Sequence, residues 1–562
     1  MQSFAMAATA FSLSSLSPVA LDLFNTSLTD TSSFFDPSVN YLLSSDPATP
    51  GKHDTRASAM YAVGLLLRNE KDDVETAVRI IENVAGTQYG KASNGTVPPW
   101  YGTYPHAPEE PGPGDFYGDL VYTNYDPNWR DFVGTAWCFA LATRGHLLPL
   151  STVQLMEQSL ILAAEGVLTR YQGRGPYANA VNVDNTKDNL DEAYTNPWLM
   201  GTFLLSYIGQ RTNRTDLIVR AESDAQSIYD LFTYCGFDTF AEYNSGTYTG
   251  VDLYALALWI AYSPPNSKLK EYGTYMLQHT MEDIGLLYNA GLRNLAGPFD
   301  RTYGFDQTRY QSVVGYFITA LLPSLSTPAP IPKSLLGSLH VSDYTCFPYL
   351  AAALSPIVRN ATPGWVLENF ATFEEGKERF IDRKVRTNTV DPSAVRNVTA
   401  WLGDNISIGG QSLDEPFVRQ SSMVPALIQW SLPPLPNTST TVPPRIGYIA
   451  LSPPTASIIN ATASRRTLEI SFPPSSRADG VNATLPGTVV FALGGFGYRE
   501  FDAGKGVEGV PGLDVSVETS GLGEFRVAYN GSSSFNGFYS WYVTYPVTAS
   551  WPEVPSIKIT VQ

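Results

Sequence analysis

Four stretches of this chain set tyrosine or tryptophan beside acids, amides and arginine, each just ahead of a strongly apolar run. The first is YTNYDPNWRDF, with Asp126, Asn128 and Trp129. The second is DNLDEAYTNPWLM, with Asp191, Glu192, Tyr194, Asn196 and Trp198. The third, FAEYNSGTYTGVDL, carries Glu242, Asn244, Tyr248 and Asp252. The fourth, AGPFDRTYGFDQTRY, carries Asp300, Arg301, Tyr303, Asp306 and Tyr310. A single Asp or Asn before a helix is ordinarily an N-cap, and Asn128 and Asp191 read that way first. Four such mouths together exceed what capping needs. A sugar offers C–H faces to aromatic rings and hydroxyl edges to acids and amides, so the pattern suits a carbohydrate site. Trp129, Trp198, Asn196, Asp252, Asp306 and Tyr310 are candidate sugar contacts. His106 joins them from the aromatic, Pro/Gly-rich stretch 100–125, which reads equally as a lid or as a rigid packing loop.

Helical hairpins must position these groups. TRASAMYAVGLLLRN precedes DDVETAVRIIENVAGT, WRDFVGTAWCFALATRG precedes STVQLMEQSLILAAEGVLTRY, and the pairing repeats to about residue 356. In the later pairs the first partner is apolar nearly all round and the second is amphipathic. A helix apolar all round is buried, whereas an amphipathic one is half exposed. The reading is an (α/α) toroid of about five to six hairpins, spanning residues 25–358, with a two-layer all-α array as runner-up. Loops leading into the inner helices rim one end of such a ring, so the four polar stretches face one cavity. From 359 to 562 the texture changes to short Val/Ile/Thr/aromatic runs such as RRTLEISFPP and GTVVFALGGFGY, which predict antiparallel β-sandwich layers. A Pro/Thr-rich connection lies at 431–444.

Composition excludes some functions. The 562 residues carry a formal net charge of −17, so a DNA or RNA partner is excluded, because phosphate binding needs a basic surface. No run is long and apolar enough to predict a membrane span. Cys138, Cys235 and Cys346 are widely spaced with apolar neighbours and read as buried free thiols. The five histidines are scattered and no CxxC occurs, so no zinc site is expected. No cofactor is predicted; calcium has spare carboxylates but no motif. Residues 1–24 read as a signal peptide that lacks a basic start. Sequons at Asn25, Asn94, Asn213, Asn360, Asn397, Asn405, Asn437, Asn460, Asn482 and Asn530 point to a secreted, N-glycosylated protein.

The stretches EYNSGTYTGVDL and GPFDRTYGFD, with TAWLGDNISIGG downstream, resemble motifs of toroid proteins grouped with polysaccharide lyases of the heparinase II/III and alginate-lyase type. The resemblance implies a helical toroid followed by β layers, a polysaccharide or oligosaccharide substrate, and β-elimination. Those lyases generally carry an Asn-His pair or a catalytic histidine on the toroid. Here no Asn-His dipeptide occurs and no histidine falls in the four stretches, so the chemistry leans on tyrosine. In β-elimination the uronate carboxylate is neutralised, its neighbouring proton is removed and the 4-oxygen leaves. Asn196, Asn244 or Arg301 would neutralise the carboxylate, and Tyr248 and Tyr303 would be acid and base, with Arg301 as the cation a tyrosinate needs. The alternative is a glycoside hydrolase using Glu242 and Asp300 as paired carboxyl groups, with Asp252, Asp191 and Glu192 in reserve. A non-catalytic carbohydrate-binding protein is a third reading. A toroid synthase or isomerase acting on a small lipid or terpene is a fourth.

Overall fold

The computed structural model describes residues 11–45, 51–114, 116–171, 190, 193–310, 312–331, 341–386, 395–413, 423–433, 445–474, 483–530 and 540–562. Asp191 and Glu192 lie outside the described residues, as does 434–444 of the Pro/Thr-rich connection. The first helix, α1 (Pro18–Ser32), starts where Ser17 accepts a hydrogen bond from the Ala20 N–H and Pro18 occupies the first turn. It buries Val19, Ala20, Leu23 and Phe24 in the main core. Residues 18–24, read within 1–24 as a signal peptide or an apolar N-terminal segment, are the first turns of this helix.

Four regular hairpins follow: α2 (Thr55–Arg68) with α3 (Asp73–Gly86), α4 (Trp129–Arg144) with α5 (Leu150–Tyr171), α6 (Thr195–Thr212) with α7 (Thr215–Phe232), and α8 (Thr249–Tyr262) with α9 (Lys268–Leu287). The apolar first partners α2, α4, α6 and α8 are buried over most of their length and pack side by side in that order. Beyond α8 come the short α10 (Gln307–Tyr310), α11 (Val313–Leu321), the short α12 (Val341–Tyr344) and α13 (Pro348–Ala361). Helices α11 and α13 pack on α8 and on α1, which reaches back to α2, so the inner helices form a ring. Gly250 lets α8 meet α11 closely: a Cβ there would sit 2.1 Å from the Val314 nitrogen. The helical region runs on through α14 (Gly364–Ala371), which packs on α9, so the strands begin later than the expected 359.

Short strands β1 (Phe35–Asp36), β2 (Tyr41–Leu43) and β3 (His53–Asp54) form a small sheet beside α2, and β4 (Tyr288–Asn289) pairs with β5 (Asn294–Leu295). The C-terminal part is one 12-stranded antiparallel sheet that curls on itself. Its strands are β6 (Arg379–Arg386), β7 (Val395–Gly403), β8 (Ile406–Leu413), β9 (Ala426–Leu432), β10 (Arg445–Ser452), β11 (Asn460–Ser464), β12 (Thr467–Ser471), β13 (Thr488–Gly494), β14 (Val515–Ser520), β15 (Arg526–Asn530), β16 (Ser540–Pro546) and β17 (Ser556–Val561). The central strands are buried on both faces. Side chains alternate along a strand, and here the alternation sorts them into two cores. Ile408, Ile428, Trp430, Ile449 and Leu451 join the core enclosed by the curled sheet. Val398, Ala400, Leu402, Leu427, Tyr448 and Ala450 join the core of the helices. Arg396, Gly409, Gln411 and Gln429 share that second parity, which aims them at the helical domain.

Candidate active site

The three motif stretches, far apart in sequence, meet at Gly297–Pro298. From the first, the Asn244 amide donates to the carbonyl oxygens of Ala296 (2.8 Å) and Pro298 (2.6 Å). Asn244 holds a left-handed conformation, φ 49°, which asparagine tolerates better than most residues. From the third, Gly409 lies against Gly297 so closely that a Cβ would fall 1.8 Å from the Gly297 oxygen. Phe299 and Val424 exchange backbone hydrogen bonds of 3.0 and 2.9 Å, and Gln429 donates to the Phe305 carbonyl at 2.8 Å. The loop that carries Arg301 and Tyr303 is therefore held between α8 and the sheet.

Above this floor sits a tyrosine–arginine cluster. The Arg301 guanidinium donates to the Tyr303 hydroxyl oxygen at 2.9 Å and lies 4.5 Å from the centre of the Tyr248 ring. The hydroxyls of Tyr248 and Tyr303 are 3.4 Å apart. All three side chains are partly exposed, unlike the buried residues around them. Tyr194, at the mouth of α6, meets Tyr248 edge-on with centroids 6.3 Å apart. Its hydroxyl accepts from the Asn128 amide at 3.1 Å, and the Asn128 oxygen accepts from Arg170 at 2.7 Å. Burial pushes the Tyr248 hydroxyl well above the ordinary tyrosine range; Tyr194 and Tyr303 add to this, and Arg301 opposes it. Glu242 is 6% exposed, accepts from the Thr195 N–H at 3.3 Å, and adds its charge to the field that stabilises the Arg301 cation. One partly exposed cation, two contacting phenols and an adjacent amide are groups that neutralise an anion and move a proton.

The structure separates the remaining candidates. Trp129 stays at this mouth, edge-on to His106 with centroids 5.0 Å apart and with Arg56 stacked 5.5 Å from its ring. Asn196 and Asp252 are each 1% exposed; among the described residues the Asn196 amide nitrogen and both Asp252 oxygens have no hydrogen-bond partner. Burial, then the charge of Glu242, pushes the Asp252 carboxyl well above the usual range. Five candidate residues need correction. Trp198 is core, its indole donating to the Asp224 carbonyl at 3.0 Å, because α6 turns that side toward α7. Asn244 is engaged with two carbonyls and is not free to meet a carboxylate. Asp300 is 2% exposed and bound to Arg396, so it is no partner for Glu242 in hydrolysis. Asp306 and Tyr310 are internal: the Asp306 carboxylate accepts from Thr308, and the Tyr310 hydroxyl donates to Thr247 at 2.9 Å.

Asn128 reverses its reading as a cap, because its side chain makes no cap bond and instead holds Tyr194. The stretch 100–125 splits in two. Arg130, fully buried, donates to the carbonyls of Pro99 and Tyr101 and packs the first half, while Phe116, Leu120 and Tyr122 stand exposed on the second. Cys138 and Cys346 are buried and Cys235 is exposed, all three free. Sequence reasoning named Tyr194 in its stretch without giving it a role, and passed over Arg170 and Arg396. Only the position of Tyr194 beside Asn196 signalled any of them.

The buried acids give stability a distinct pH dependence. Burial raises Asp224, Asp283 and Asp306 from the ordinary 3.8 to about 6 each. Between these values the folded chain binds more protons than the unfolded chain, so stability falls as pH rises through that window. Thermal midpoint should therefore be higher at pH 5 than at pH 7 by several degrees. A midpoint that is flat or rises over that interval would show these acids ionised at no cost.

No curated protein matches the chain. Among solved structures it is similar to the chondroitin AC lyase of Streptomyces coelicolor A3 in complex with chondroitin sulphate. The identity is 11%, coverage is 97% of this chain and 79% of that one, and the TM-score is 0.41. It is similar to heparinase III at 8% identity, over 100% of this chain and 87% of that one, with a TM-score of 0.36. It is also similar to the endoglucanase CelQ of Clostridium thermocellum complexed with cellotriose, at 10% identity, over 97% and 92%, with a TM-score of 0.27. The first is a lyase by name. Residues 377–562 match the domain of unknown function DUF8770. Residues 21–355, which include the whole tyrosine–arginine cluster, match the domain of unknown function DUF8769, and the chain belongs to that family.

Proposed function

We propose that this protein is a carbohydrate-active lyase that cleaves a uronate-containing glycan by β-elimination. The observation that carries the reading is the contact of two phenols, Tyr248 and Tyr303, at 3.4 Å with one guanidinium against both. Arg301 neutralises the uronate carboxylate, which acidifies the hydrogen on the adjacent carbon. Tyr303, acting as the base with its oxygen against the Arg301 guanidinium, takes that proton. The electron pair forms the C4–C5 double bond as the C4–O4 bond breaks. Tyr248, kept protonated by burial, gives its proton to the departing oxygen. The contact between the two hydroxyls then lets the proton on Tyr303 return to Tyr248, restoring both groups without a water relay.

A hydrolase needs a second carboxyl group at the cleft beside Glu242, and Asp300 is held beneath it by Arg396. The test is digestion of a panel of uronate-containing and neutral glycans, followed by ultraviolet absorbance and by reducing-end release. Absorbance rising with new ends is the expected result, since elimination leaves a conjugated double bond. New ends without absorbance would sink the lyase reading and return attention to Glu242. Neither signal across the panel would leave a binding protein. The ten sequons fit an enzyme that meets such glycans outside the cell. A mass loss on N-glycosidase treatment of the native protein is expected, and none would remove that support.

A further inference from the structure

The helical domain carries every group of the proposed chemistry, yet the loops that bear them are tied by a side chain of the sheet. Arg396 projects from β7 with the parity that faces the helices. One arm of its guanidinium donates to the Asp300 carboxylate at 2.5 Å, and both side chains are 1% exposed. The other arm donates to the Ala241 carbonyl at 2.5 Å and to the Arg386 carbonyl at 3.2 Å. Asp300 directly precedes Arg301, and Ala241 directly precedes Glu242. A planar fork with fixed angles thus grips the two loops whose spacing sets the distance from Tyr248 to Arg301 and Tyr303. The same two loops also touch directly, through the Asn244 amide on the Ala296 and Pro298 carbonyls, the Ser245 hydroxyl on the Arg301 carbonyl at 3.3 Å, and the backbone bonds of Asp300 to Tyr243 at 3.3 Å and Thr247 to Arg301 at 3.4 Å; Arg396 adds a charged tie from the sheet.

We propose that Arg396 is a positioning residue: besides the sheet's backbone contacts with the loop at 296–305, its guanidinium joins that loop to the one bearing Glu242 and fixes the geometry of the tyrosine–arginine cluster. The inference rests on the lyase reading for its kinetic consequence but not for its geometric one. A lysine at this position keeps a charge for Asp300 but cannot span to Ala241 in the same plane. A pair of apolar side chains fills the volume with no buried charge left over, so it tests position apart from stability.

The experiment uses the full chain with 3-fluorotyrosine in place of Tyr303, in the parent, in Arg396→Lys and in Arg396→Met/Asp300→Leu. Fluorine resonance, thermal midpoint, kcat and KM are measured on whichever glycan the panel identifies. Both variants should shift the fluorine resonance and lower kcat at least ten-fold. KM should stay within about three-fold, and the double variant should keep its midpoint within a few degrees. An unmoved resonance with kcat unchanged, in a variant that folds, overturns the proposal and leaves Arg396 a structural tie. If the double variant fails to fold, Arg396→Lys decides by the same readouts. If the parent cleaves no glycan, the lyase reading has failed, and the fluorine resonance still decides whether Arg396 positions the cluster.

Discussion

Tyr303→Phe should lower kcat by about a thousand-fold, the range expected for removal of one positioned acid–base group. KM should change little, because the ring remains and only the hydroxyl is lost. Tyr248→Phe should cost a similar factor, since the proposed cycle needs one phenol to take a proton and the other to give one. The double variant should be barely slower than either single one, because two groups that act as a unit do not add. Stability should move by no more than about 1 kcal/mol for either variant, the net worth of a typical hydrogen bond. Both side chains are partly exposed, so neither leaves a buried orphan. Kinetics on the identified glycan, with a thermal melt of each variant, checks all of this. A Tyr303→Phe enzyme that keeps a tenth or more of parent kcat would remove Tyr303 from the chemistry.

Gly409→Ala should be the most damaging small change in the sheet. The added methyl carbon would lie 1.8 Å from the Gly297 oxygen, 2.1 Å from its carbon and 2.5 Å from the Pro298 nitrogen. These are backbone atoms on both sides, so no side chain can swing away to make room. Overpacking of this kind costs about 1–3 kcal/mol and occasionally more, and the upper end applies where backbone meets backbone. Relief comes only by parting β8 from the loop at 296–305, which carries Arg301 and Tyr303. Denaturant unfolding should show a loss of about 3 kcal/mol or greater, and kcat should fall with it. A variant as stable and active as the parent would mean that the loop sits less tightly on the sheet than the backbone contact requires.

The inner and outer helices were legible because burial writes itself into composition. Helix α8 is apolar on every side, and that alone places it inside. The strands were legible for the same reason in another period, though one detail escaped: the central strands alternate between two apolar cores, so their sequence shows little polar face. The end of the helical region was misread at 359. The segment Gly364–Ala371 is short and half exposed, too brief to show helical periodicity against the strands that follow.

The candidate site was legible as a place and not as a set of roles. The sequence brought forward Tyr248, Arg301 and Tyr303, because phenols and a cation at the mouths of buried helices have few other reasons to be there. It could not distinguish them from Asn244, Asp300, Trp198 and Tyr310, which have the same types and the same spacing. What separates the two groups is which partner each one finds. Asn244 meets two carbonyls, Asp300 meets an arginine ninety-six positions later, and Trp198 meets a carbonyl on the next helix. Such partners come from other elements, and no local pattern encodes them. Residue type and hydrophobic period determined the helices, the strands and the end of the ring where the polar stretches gather. Only the packing of sheet against loop decided which polar side chains stay partly exposed at that end, because a buried hydrogen bond is made across the fold and not along the chain.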